Sequence, residues 1–438
     1  MRASLLCLLS LAAVLLSAPA QAFCGFYVGK SDKPLFNKAS KVALVRDGDR
    51  TVLTLSADYE GDLKDFAMVV PVPVLLTKDQ IHIGDRSLLE KLDAYSVPRL
   101  VEYYDPDPCR RFYPRRSMAM GGAAAPMMEQ KASLGAARDR ALGVTVEAQY
   151  TVGEYEIVIL SAKQSDGLAT WLTENGYKIP AAANRALAPY IRQNMKFFVA
   201  KVNLKAQKRT GSAFLRPIQI AYESEKFMLP IRLGMANANG PQDLIVFALT
   251  RQGRVESINY RNVKMPTGMN IPTYLKGQFE PFYKAVFAHE EAKEHHRAVF
   301  TEYFWNMGSC DPCSADPLPP ESLKQLGVFW LDSAQPYNVP VVLTRLHVRY
   351  DDEHFPEDLA FQVTSDNNTY QARYVMQQPF KGDVSCAAGQ AYKKQLATRH
   401  QQEAKTLASL TGWSLANIQK QMGPDFVPQK TWYQKLWQ

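Results

Sequence analysis

The chain has 438 residues, 46% of them hydrophobic and 21% charged, and Lys plus Arg exceed Asp plus Glu by eight. That composition belongs to a globular protein long enough for two or three domains and a sizeable core, and it excludes the disordered and collagen-like classes. The densest basic groups, Arg110-Arg111 with Arg115-Arg116 and the run Lys205 to Arg209, are short and scattered. They read as solvated faces, so no nucleic-acid partner is expected.

Met1-Arg2, the apolar stretch Leu5 to Leu16 and Ala20-Gln21-Ala22 follow one another in the order of a cleavable signal peptide, residues 1–22, with the mature chain starting at Phe23. The apolar run falls short of the roughly 18 residues a membrane span needs. A lipoprotein is disfavoured because Phe23, where a small residue is expected, precedes Cys24. Later apolar stretches, Phe66 to Leu76 and Tyr155 to Ala162, are strand-sized, and the ending Lys430 to Gln438 is polar and aromatic. The expected product is therefore exported, periplasmic or secreted, with no integral membrane segment after cleavage. Five cysteines remain in it, Cys24, Cys109, Cys310, Cys313 and Cys386, and an oxidising compartment favours disulfides among them. Five is odd, so one thiol stays free or bridges to another chain.

Along residues 23–116 the pattern is a β-rich N-terminal domain. Val42 to Val45 and Thr51 to Leu55 flank the turn sequence Asp47-Gly48-Asp49. Pro71 and Pro73 each remove a backbone donor, which puts the Phe66 to Leu76 run at a sheet edge or makes it leave the sheet early. A helix is predicted over Ser87 to Leu92, then an extended loop through Asp105-Pro-Asp-Pro-Cys109, where pairing with Cys24 would staple the mature N-terminus. Residues 117–140 are a Met/Ala/Gly-rich linker or lid. An α+β domain follows over 141–275, with strands Val144 to Tyr150, Glu154 to Ala162, Phe197 to Lys205, Leu215 to Ala221 and Leu244 to Thr250, and helices Gly167 to Thr173 and Ala181 to Gln193. Residues 276–320 hold a long helix over Phe282 to Met307 and a CxxC turn, 321–385 a C-terminal β portion with Val341 to Tyr350 and Leu359 to Thr364, and 386–438 a helical tail. The fold class is α+β: several antiparallel sheet units with packed helices, stabilised by disulfides.

Chemistry is sparse. Cys310-Asp-Pro-Cys313 is the sharpest motif, since thiols two residues apart can form a redox-active disulfide. The strand that would precede a thioredoxin-like motif is missing, so a structural bridge is the base reading and catalytic Cys310 and Cys313 the alternative. His289, His295 and His296 stand on the predicted long helix among Glu290, Glu291 and Glu294 without the H-E-x-x-H spacing, and read as a charge-patterned face. Period-two spacing places Arg345, His347 and Arg349 on one strand face, which could bind an anion; His354 with Asp351 could ligate a cation; both compete with a solvated strand and turn. Asp105 and Asp107 are an unspecific carboxylate pair. No nucleophile elbow, phosphate loop, dinucleotide fingerprint or zinc-ligand spacing is present, so no cofactor and no metal are expected.

The runs Phe23-Cys-Gly-Phe-Tyr-Val28, Asp65-Phe-Ala-Met-Val-Val-Pro-Val-Pro73, Ser96-Val-Pro-Arg-Leu-Val-Glu102, Tyr150-Thr-Val-Gly-Glu-Tyr-Glu-Ile-Val-Ile-Leu160, Trp171-Leu-Thr-Glu-Asn-Gly-Tyr177, Cys310-Asp-Pro-Cys313 and Leu343-Thr-Arg-Leu-His347 occur in one order. In this the chain resembles the exported bacterial family known as domain of unknown function 2330. The resemblance implies export and keeps Cys24, Cys109, Cys310 and Cys313 in view, while carrying no catalytic residues. The function expected is a non-enzymatic envelope module binding an unknown protein or small-molecule ligand, with thiol-disulfide exchange as the alternative.

Overall fold

The computed structural model describes residues 26–29, 36–60, 66–110, 144–163, 165–177, 183–203, 205, 207, 215–238, 240–309, 311, 316–331 and 339–423. The signal peptide, the Met-rich segment 117–140, Cys24, Cys310 and Cys313 lie outside the described residues.

A nine-stranded sheet forms the centre. Its strands run in the order Arg261–Lys264, Ala298–Asn306, Val342–Tyr350, Gln242–Thr250, Phe36–Asp47, Arg50–Glu60, Ile218–Glu223 and Ile81–Ile83, and Tyr370–Gln371 adds to Ala298–Asn306. Most pairs are antiparallel; Phe36–Asp47 runs parallel to Gln242–Thr250, and Arg261–Lys264 parallel to Ala298–Asn306. Segments separated in the sequence reading thus share one sheet. A second sheet orders Phe26–Gly29, Phe66–Val72, Lys196–Val202, Tyr155–Ala162 and Val144–Val152, all antiparallel. The two-residue turn at Gly48, φ 56°, closes the first hairpin as its sequence predicts. Pro71 sits where its missing donor does no harm: pairing to Phe26–Gly29 stops at Val69, and the strand ends at Val72 before Pro73.

Alternate residues of the central strands enter different cores, which is why these strands are apolar on both faces. Val42, Leu44, Val246 and Val348 meet Met68, Val70, Ile157 and Phe198 of the second sheet between the two layers. Ala43, Val45, Phe247 and Leu249 face the other way, onto Leu88, Leu89 and Leu92 of the Arg86–Ser96 helix. The outer face of the second sheet is covered by the helices Ser165–Glu174 and Ala183–Arg192 through Leu168, Leu172, Leu187 and Tyr190. A fourth core packs the Phe279–Lys293 helix against Ala387–Thr411.

Two expectations are corrected. The helix predicted over Phe282 to Met307 ends at Lys293, and Ala298–Asn306 is a buried strand of the large sheet. Its Val, Phe, Thr, Tyr and Trp residues are strand formers, and burial on both faces hides the period-two alternation that would have distinguished them. Cys109 pairs with Cys386, not with Cys24. The bridge spans 277 residues and holds the tail: Cys386 also caps the Ala387–Thr411 helix by accepting from Gly389 N. The same helix is docked by Arg399, whose Nη2 lies 2.8 Å from Asp105, and by Tyr392, whose hydroxyl donates to that carboxylate at 2.5 Å.

Candidate functional site

Arg345, His347 and Arg349 do share one face of Val342–Tyr350, but that face is covered. Arg345 donates through Nη1 to Asp93 of the Arg86–Ser96 helix and through Nε to Glu302, each at 2.5 Å, and Lys41 donates to the same Asp93 at 2.6 Å. His347 is stacked on Phe287, ring centres 3.7 Å apart, with Nδ1 2.8 Å from Glu302 and Nε2 3.5 Å from Asp243. Arg349 makes a two-pronged bond to Asp243, 2.8 Å at each prong, and lies over the Phe287 ring. Every cation of the predicted face is therefore engaged by an internal carboxylate.

Glu302 is the hub, and sequence reasoning missed it. Thr301 pairs with Leu346 and Tyr303 with Arg345, so Glu302 is an extra residue, a bulge that sets its side chain beside Arg345 and His347. The Tyr283 hydroxyl completes its shell, donating at 2.5 Å. Burial alone would raise the carboxyl; the charges of His347 and Arg345 outweigh it and hold Glu302 at about 2. Asp243 is likewise raised by burial and pulled down to about 2 by His347 and Arg349. Burial lowers the His347 imidazole, but Glu302 and Asp243 raise it above its ordinary value.

The network sets a pH dependence. The His347 contribution is whole below the ordinary histidine pKa and is lost as pH rises through its folded value. Glu403, raised by burial to about 7, acts in the same direction but earlier, between the ordinary carboxylate range and neutrality. Glu302 and Asp243 contribute above the ordinary carboxylate range and lose it as pH falls toward 2. Thermal melts should accordingly show the highest midpoint at mildly acid pH and a decline above neutrality, and His347→Gln should flatten that decline. A wild-type midpoint constant from pH 6 to 9 would rule this out.

The remaining predicted residues are dispersed. Asp107 accepts from the Cys109 backbone, and Asp105 is taken up by Arg399, Tyr392 and Gln377. His289 packs at Gly412, where an added side chain would meet its Nδ1 at 3.1 Å. His295 and His296 lie beyond the helix end, both in left-handed backbone conformations, so His289 and His296 share no helical face. His354 and Asp351 bond to each other. Among the described residues, no group of three or more His, Cys, Asp or Glu side chains is set to hold a metal ion.

An open groove lies elsewhere. About 610 Å³ in volume, it runs between the end of the Ala183–Arg192 helix, the Glu225 to Met228 segment and the Leu359–Val363 strand. Phe227 and Phe361, ring centres 5.4 Å apart, form its aromatic wall, and Ile258, 61% exposed, extends the apolar surface. Arg192, Lys226 and Arg232 line it together with Glu225, Glu357 and Asp358, so both charges border the apolar wall. Buried Asp358 fixes the walls, accepting from the Tyr190 hydroxyl at 2.6 Å, from Ile231 N at 2.9 Å and from Arg232 Nη2 at 2.9 Å. These residues come from segments far apart in the chain, so no local motif announces them.

A family described as an uncharacterised protein conserved in bacteria, DUF2330, matches residues 18–362. The chain belongs to this family. No curated protein and no solved structure matches the chain. The DUF2330 segment contains the whole charge network and the groove, ending inside the Leu359–Val363 strand. Cys386 and the helices Ala387–Thr411 and Leu415–Met422 lie past the DUF2330 match, so the disulfide fastens the tail to a cysteine within it. Among the described residues no helix is long and apolar enough to cross a membrane.

Proposed function

We propose that this protein is an exported, disulfide-stabilised module of the bacterial cell envelope that binds rather than catalyses, and that its ligand or protein partner occupies the groove bounded by Arg192, Lys226 and Phe361. The observation that carries the reading is the groove itself, where unburied apolar surface adjoins charged side chains of both signs. Its partner presents an apolar group flanked by polar ones, with Arg192 and Lys226 the cations at the groove's edge. The signal-like N-terminus and a disulfide closing a 277-residue loop support export. The internal engagement of Arg345, His347 and Arg349 argues for a structural role there. The Cys109–Cys386 bridge lends nothing to thiol-disulfide exchange by Cys310 and Cys313.

Native mass spectrometry of the chain recovered from its host tests this. The covalent mass should begin at Phe23, and the native mass should carry an excess that denaturation releases. Arg192→Glu with Lys226→Glu should cut the retained fraction about tenfold. An uncleaved cytoplasmic chain would remove the export reading; retention unchanged in the double variant would remove the groove.

A further inference from the structure

We propose that His296 and His354 form a two-imidazole site for a late first-row divalent metal ion, of the zinc and copper kind. The two rings come from separate elements. His296 sits in the turn after the Phe279–Lys293 helix, and His354 in the turn after the Val342–Tyr350 strand. Their ring centres are 5.2 Å apart at an interplanar angle of 58°. A metal–nitrogen bond of about 2.0 to 2.1 Å, plus about 1.2 Å from nitrogen to ring centre, spaces two imidazoles on one tetrahedral ion by roughly 5 Å. The observed separation matches that spacing.

The second support is the partner of each Nδ1. His296 Nδ1 lies 2.6 Å from Glu291 Oε1, and His354 Nδ1 lies 2.8 Å from Asp351 Oδ1 and 2.9 Å from Oδ2. An ionised carboxylate only accepts, so in the neutral imidazole Nδ1 carries the proton and Nε2 holds the lone pair. This carboxylate–histidine arrangement orients imidazoles for metal binding. Both carboxylates are themselves held: Glu291 is buried, and Asp351 accepts from the backbone N of His354 at 2.7 Å and of Glu353 at 3.1 Å.

The backbone supplies a third. His295 and His296 adopt φ of 54° and 61°, successive left-handed conformations that carry strain in residues with a Cβ. The turn is secured by His295 N donating to Ala292 O and His296 N donating to Glu291 O. An open cavity of about 540 Å³, lined by Arg261, Glu294, His295, Arg297 and His354, adjoins the pair and leaves room for the ion's other ligands. Arg261 is paired with Glu294 at 3.0 Å, which tempers the positive charge on the approach. With two protein ligands, the remaining coordination positions fall to water or an external donor. A bound ion would clasp the helix-end turn to the strand-end turn.

The test titrates ZnCl2 and CuCl2 into untagged, chelator-stripped full chain with its disulfide intact, at pH 7.5 in a non-coordinating buffer, by calorimetry. One equivalent should bind, copper more tightly than zinc. His296→Ala and His354→Ala should each weaken that equivalent at least tenfold, Asp351→Asn by about 10 to 100-fold, and His295→Ala should leave it unchanged. Acidification should weaken binding, because protons compete with the metal ion for its ligands. If His296→Ala fails to fold, His354→Gln, in a surface turn, carries the same test. No bound equivalent, or one that survives in folded His354 variants, overturns the assignment and in the second case places the ion elsewhere.

Discussion

Glu302→Gln should lower unfolding free energy by about 3 to 5 kcal/mol, the range for removing one partner of a buried ion pair. Gln keeps the shape and one carbonyl acceptor, but it removes the charge that both Arg345 and His347 face from within the sheet. The guanidinium keeps Asp93 as its remaining carboxylate, and His347 keeps the more distant Asp243. Denaturant titration by circular dichroism measures the loss. Adding Arg345→Met to Glu302→Gln should cost less than the sum of the two single changes, because each single variant strands the other's partner. An exposed pair is the control: Lys284→Ala, which breaks the helical Glu280–Lys284 contact, should leave the transition in place. A Glu302→Gln midpoint equal to that of the wild type would show that the network contributes nothing to stability.

Removing the disulfide comes next in size. Cys109→Ser with Cys386→Ser frees a loop of 277 residues and should cost about 2 to 5 kcal/mol, through the gain in unfolded-chain freedom. The same loss should follow from reduction of the wild type. The structure also gives the effect a location. With the bridge gone, the start of the Ala387–Thr411 helix is tethered by the Asp105 contacts with Arg399 and Tyr392. Limited proteolysis should therefore begin near residues 383–390 before the central sheet is cut. Equal midpoints for oxidised and reduced protein, with no new cleavage there, would contradict the assigned bridge.

The hairpin turns and most strands were legible because their signals are local: Gly48 and Gly153 take the positive φ their turns require, and flanking runs carry β-branched residues. Ala298–Asn306 was not. The break before it is made by His295 and His296, where a sequence reader looks for Gly or Pro, and its aromatic residues also fit a helical stripe. Glu302 was invisible for a related reason, since a bulge changes which way a residue points and leaves no mark on composition. The Arg345, His347 and Arg349 face was found by spacing, but the carboxylates that occupy it, Asp93, Asp243 and Glu302, come from three other elements. Cys109 could not be assigned its partner because spacing does not encode connectivity. The export reading rests chiefly on the N-terminal sequence, and the Cys109–Cys386 bridge adds to it.

The position of Phe36–Asp47 inside the large sheet dictates the order in which the chain can fold. The hairpin with Arg50–Glu60 forms early, but its other flank waits for Gln242–Thr250, about two hundred residues later, and that strand waits in turn for Val342–Tyr350. Until those strands arrive, Phe36–Asp47 has an unpaired edge and two uncovered apolar faces, the condition in which strands find wrong neighbours. Such distant pairings make folding slow, on the order of milliseconds to seconds even for much smaller β-rich domains. A chain with this topology cannot complete its centre as it emerges residue by residue; it closes only after nearly all of it is present, and a chaperone that guards the early hairpin would raise its yield more than one that guards the tail.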